Sequence, residues 1–96
     1  MSDITGSSNV AGVTLSYDVN PEAQSAKVTA SFEGVKLGSA TVTSSSATAS
    51  IGGTVAGTTV KVSLTADWAD DKITYSVKLD SPVSKAKTYS GTLVHW

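Results

Sequence analysis

The sequence predicts an all-β fold: an antiparallel β-sandwich of about seven strands and immunoglobulin-like size, with a small up-and-down β-barrel as the alternative. Three observations carry this. Apolar and hydroxyl residues alternate in Val13-Thr-Leu-Ser-Tyr17, Val28-Thr-Ala-Ser-Phe32, Val60-Lys-Val-Ser-Leu64 and Ile73-Thr-Tyr-Ser-Val77, the period of strands with one buried and one wet face. No window spaces its apolar residues as an amphipathic helix would, so essentially no helix is expected. Turn residues interrupt the alternation at the short intervals that a run of hairpins needs.

Taken in order, strands are expected over about residues 10–19, 25–33, 35–43, 46–51, 58–68, 72–80 and 87–95. Asn20-Pro21-Glu22-Ala23 separates the first two, with proline setting φ at the second position of a type I turn. Glu33-Gly34 makes the next tight turn, and Gly52, Gly53 and Gly57 loosen the middle of the chain. Asp70-Asp71 turns the fifth strand into the sixth, which ends at Asp80-Ser81-Pro82. Residues 1–9 precede the first alternating run and read as a loosely attached N-terminal segment of one domain spanning 1–96. The inward positions give a core of Val13, Leu15, Tyr17, Val28, Ala30 and Phe32 from the first two strands. Leu37, Val42, Ile51, Val60, Val62 and Leu64 continue it, and Ile73, Tyr75, Val77, Leu79 and Leu93 complete it.

A chain of 96 residues has room for one thin core. Charged residues are only 16% of it, while 16 Ser and 13 Thr give a neutral, hydroxyl-rich surface. The net charge is −1 and there is no arginine. Scattered lysines without a guanidinium fork make nucleic acid and anionic membrane surfaces poor partners. No apolar run approaches a membrane span, so insertion is not expected. Cysteine is absent, which excludes disulfides and leaves the compartment unread. The opening MSDITGSSNVAG lacks the basic and apolar regions of a signal peptide, so the chain reads as cytoplasmic or as exported with a processed leader.

One stretch gathers chemistry: Thr65-Ala-Asp-Trp-Ala-Asp-Asp-Lys72 sets three acids around a tryptophan. Trp68 shares the inner side of its strand with Leu64 and Ala66, and Asp67, Asp70 and Asp71 surround it. An indole face can stack on a sugar ring while carboxylates accept hydroxyl protons. The same three aspartates could instead offer hard oxygens to calcium, although the loop glycine and bidentate Glu of an EF-hand are missing. The third reading is structural, with Asp capping a turn and Trp plugging the end of the core. Adjacent acids in one turn cannot face each other across a glycosidase cleft. His95 is the only histidine, and no Gly-x-Ser-x-Gly elbow is present, so an enzyme is not expected. No cofactor is implied.

Three further features remain. The stretch 37–60 carries no charge, so a strand there lacks the usual protection against pairing with another chain. Trp96 is expected to fold back as a plug or to complete an interface. The outward hydroxyls, such as Thr14, Ser16, Thr29, Ser63 and Thr74, form an uncharged face that is either simply solvated or sugar-binding. The leading functional expectation is a non-catalytic, lectin-like module binding carbohydrate through Trp68, Asp67, Asp70 and Asp71. The alternative is a structural or protein-interaction domain forming homo-oligomers through 37–60. A protease-inhibitory loop at 81–88 is a more distant reading.

Overall fold

The computed structural model describes residues 3–96, with Ser84 described by its backbone alone. It has eight strands: β1 Ile4–Val10, β2 Val13–Asn20, β3 Ser25–Phe32, β4 Val35–Thr43, β5 Thr48–Val55, β6 Thr58–Asp67, β7 Lys72–Ser81 and β8 Ser84–His95. They form two antiparallel sheets, in the orders β1-β2-β3-β4 and β5-β6-β7-β8. The sheets pack face to face and neither closes on the other, so the sandwich holds and the barrel does not. The molecule measures 45 × 21 × 19 Å, long in one direction and about two sheets thick in another.

The additional strand comes from the segment expected to be loosely attached. Residues 4–10 pair with β2 along their whole length, from Ile4 opposite Val19 to Val10 opposite Val13. Ala11-Gly12 is the turn that creates them, with φ of 51° and 88°. Glu33-Gly34 and Ala56-Gly57 repeat that geometry at φ of 51° and 80°, and 51° and 83°. Positive φ at both central residues is the type I′ conformation, whose twist matches the flanking strands and which favours glycine at the second position. Gly57 is thus half of a hairpin turn rather than a loosening of the chain. β5 accordingly runs on to Val55, and β8 begins at Ser84, before the expected residue 87.

The two sheets are built alike. In each, a type I′ hairpin leads to a longer one, and those longer hairpins close at Asn20–Ser25 and Asp67–Lys72. The last strand of each sheet is bulged against its neighbour, at Ala30/Ser31 in β3–β4 and at Ile73/Thr74 in β7–β8.

Val13, Leu15 and Val19 on β2 and Val60, Val62, Leu64 and Ala66 on β6 belong to one core between the sheets, together with Val28, Ile73 and Val77. Every fully buried side chain is aliphatic, and Leu15, Leu64 and Ile73 are the largest. Tyr17, Leu37, Tyr75 and Leu79 pack on this core only half-buried, whereas Val10, Val19, Ala26 and Val94 join it beyond expectation. The tyrosines are half-buried because each lies over a glycine of an edge strand. A Cβ on Gly6 would sit 2.5 Å from the Tyr17 hydroxyl, and one on Gly91 would sit 3.0 Å from that of Tyr75. An aromatic ring thereby covers the backbone that the glycine leaves bare. At the opposite flank Leu37 lies over Gly53 and Ile51 over Gly38, so β4 and β5 approach closely across the sandwich.

Candidate functional site

The end of the sandwich that holds the β6–β7 hairpin contains all four predicted site residues. Asp67 is the last residue of β6, and its Oδ1 accepts the Asp70 backbone N–H at 3.0 Å. Asp71 takes φ of 56°, the left-handed conformation that Asp tolerates and that returns the chain to β7. The β2–β3 hairpin does the same without any acid cluster. Asn20 Oδ1 accepts the Ala23 N–H at 3.1 Å, and Gln24 takes φ of 50°. Asp67 and Asp71 therefore stand where the hairpin itself needs a capping side chain and a left-handed residue.

Trp68 is half-buried and packed on the core. Its ring lies 5.4 Å from that of Trp96, centroid to centroid and tilted by 55°. The Trp96 backbone N–H donates to the Asp71 carbonyl at 2.8 Å, fastening the last residue to the same hairpin. The indole pair closes this end of the core, as expected for Trp96. Trp68 Nε1 is buried and has no hydrogen-bond partner among the described residues. The indole thus presents its polar edge inward and shares its packing surface with a second ring. Among the described residues no group of three or more His, Cys, Asp or Glu side chains gathers closely enough to hold a metal ion.

Three clefts lie elsewhere. One, of about 320 Å³, opens at the far end of the sandwich between Ala11, Phe32, Thr58, Leu79, Ser81, Lys85, Lys87 and Tyr89. Here β8 carries Lys87 opposite Leu79 and Tyr89 opposite Val77, polar residues on the side where the rest of the sheet is apolar. The other two, of about 360 and 430 Å³, share Ser50 and Lys61 and make a continuous trough along β5 and β6. Its walls are mainly hydroxyls and glycine backbone: Thr48, Ser50, Gly52, Thr54, Ser63 and Thr65. None of the three takes a wall from Trp68, Asp67, Asp70 or Asp71.

The trough runs beside an open sheet edge. β5 is the terminal strand of its sheet, and from Thr48 to Val55 it contains neither a charge nor a proline. The charge-free stretch 37–60 thus falls mainly on two edge strands, β4 and β5, and only its last three residues open the inner strand β6. The sequence leaves open whether this stretch lies at an edge or inside a sheet; the position of its strands required the sheet order.

On the outer face of β2, Asp18 has its carboxyl pKa raised, first by loss of hydration and then by a hydrogen bond and like charge from Asp3. The fold therefore favours the protonated form. Folding takes up a proton between the ordinary carboxylate range and the raised value, so stability falls as pH climbs through that window and stays lower above it. Asp18→Asn is expected to remove this fall, so that melting temperature rises more, or falls less, with pH across the acidic window than in wild type, without lower stability at neutral pH. A melting temperature that rises less with pH in the variant than in wild type would show that Asp18 is instead stabilised as the anion.

Comparisons with protein-family models, with curated proteins and with solved structures return no match.

Proposed function

We propose that this protein is a non-catalytic interaction module that accepts a partner strand along β5. The observation that carries the reading is the bare edge itself: eight residues, regularly paired to β6 on one side and uncharged throughout. Unpaired backbone donors and acceptors on such an edge template another strand, and side chains of alternating character select it. A partner strand of alternating apolar and hydroxyl residues would extend both the inner row, Ala49, Ile51, Gly53 and Val55, and the outer row, Thr48, Ser50, Gly52 and Thr54. Carbohydrate binding through Trp68, Asp67, Asp70 and Asp71 has less support, because Asp67 is engaged in its own turn and Trp68 packs against Trp96.

The test is a titration of isotopically labelled protein with a panel of short extended peptides of alternating apolar and hydroxyl character. Amide shifts concentrated in residues 48–55, abolished by Ser50→Lys with Thr54→Lys, are expected. Shifts confined to residues 67–72 on addition of oligosaccharides, with the peptides inert, would replace this reading by the carbohydrate one.

A further inference from the structure

The four sheet edges of this molecule fall into two kinds. β4 carries Lys36 and bulges at Leu37, and Gly38 there takes φ of 154°, which breaks the flatness of the strand. β8 carries Lys85 and Lys87, shifts register twice against β7, and turns Lys87 toward the inner side opposite Leu79. Lysines, bulges and inward-pointing charges are the devices by which edges resist pairing with other chains. β1 and β5 have none of them. β1 reads Ile-Thr-Gly-Ser-Ser-Asn-Val and pairs with β2 without interruption from Ile4 to Val10. β5 pairs with β6 in the same unbroken way from Thr48 to Val55.

Each sheet thus has one guarded edge, its last strand, and one bare edge, its first. Leu37 over Gly53 and Ile51 over Gly38 place β4 and β5 on one flank of the sandwich. β1 lies at the other end of the β1-β2-β3-β4 sheet, and hence on the other flank. The two bare edges therefore face away from each other. They are of similar length, seven and eight residues, and carry no charge to repel one another.

Resting on the strand-addition reading above, we infer that the partner strand belongs to a second copy of this chain, and that the two bare edges together make the association open-ended. A single bare edge would give a closed pair; two on opposite flanks let each joined copy offer a further edge. The geometry accommodates β1 against β5 in one layer, while β4 of the second copy comes beside β8 in the other layer and the bulges and lysines there keep those two strands unpaired. A copy turned over about the axis that crosses the strands brings its β5 into the plane of the β1 sheet, with the inner faces on the same side. That rotation reverses the strand direction, so the new ladder is antiparallel like those within each sheet. It continues the buried row through Ile4 and Val10 and the hydroxyl row through Thr5 and Ser7.

Sedimentation velocity across a wide dilution series tests this with the whole chain. Wild type is expected to grow past two copies as concentration rises, without a plateau. Thr5→Lys with Ser7→Lys guards β1, and Ser50→Lys with Thr54→Lys guards β5. All four positions are exposed, so the fold should tolerate them, and unchanged circular dichroism checks that. Each pair should weaken its junction by about tenfold or more, so that assembly stops at two copies or fewer. The fourfold variant should stay monomeric. A wild type that is monomeric at every concentration, or that plateaus at two copies, overturns the inference, as does growth undiminished in the fourfold variant. The peptide titration separates the two claims. Foreign strands binding β5 of a monomeric protein keep the interaction reading and remove self-association, whereas inert peptides with a monomeric protein remove both.

Discussion

Replacing Leu64 with alanine is expected to lower the unfolding free energy by about 2–5 kcal/mol. The residue lies on the inner row of β6, 1% exposed, between Ala49 on β5 and Tyr75 on β7. Two things make the loss large. The core is built mostly of valine and alanine, so Leu64 is among the few wholly buried side chains that fill more than a valine's volume. Its cross-strand neighbour Ala49 is too short to move into the gap, so a cavity persists and adds to the lost transfer energy. Against the total of about 5–15 kcal/mol usual for a small domain, that is a major fraction. The melting temperature should fall by more than about 10 °C. Ser63→Ala, one residue away on the wet face, should stay within about 0.5 kcal/mol of wild type. Urea titrations of both variants decide it. Equal small losses with an unchanged m-value would mean that β6 is shifted by one residue and the two faces are exchanged.

The fold was legible where alternation is strong and illegible where glycine carries the geometry. Val60, Val62 and Leu64 announce a strand and its buried face in one glance, because a period of two leaves no alternative assignment. Ala11-Gly12 announces nothing comparable: it reads as two more small residues within a run from Val10 to Val19, and only its positive φ values split that run into β1 and β2. β1 was hidden for a related reason, since its inner row contains Gly6 and Ser8 and the missing apolar surface is supplied by Tyr17 from the next strand. Leu37 and Leu93 were assigned to the inner row, and both stand at bulges that alternation cannot foresee: Leu93 is buried in the core and Leu37 packs on it only partly buried. At the Asp-Trp loop the sequence offered both a ligand site and a capped turn with a tryptophan plug, and could not choose between them. The acids looked like a site because they surround an indole, yet Asn20 and Gln24 perform the work of Asp67 and Asp71 in the other sheet with no aromatic residue present.

Trp68 supplies the second large effect, and it separates a plug from a ligand platform. Trp68→Ala is expected to cost about 2–4 kcal/mol, somewhat below the range for a fully buried tryptophan because the ring is half-buried. It removes the partner of Trp96 and opens the end of the core that the two indoles close. Near-UV circular dichroism should lose the contribution of the coupled rings. Trp68→Phe should behave differently. It keeps an aromatic ring against Trp96 and deletes Nε1, a buried donor without a partner among the described residues, whose desolvation costs about 1–3 kcal/mol. The loss of ring area and the relief of that donor oppose each other, so the Phe variant should lie within about 1 kcal/mol of wild type. A ligand platform predicts the reverse pattern: an exposed ring contributes little to stability, so Trp68→Ala would melt with the wild type, and oligosaccharide binding would be lost with it. The ordering of Ala and Phe in thermal denaturation therefore tells which surface of Trp68 selection has used: the one turned toward Trp96 or the one turned toward water.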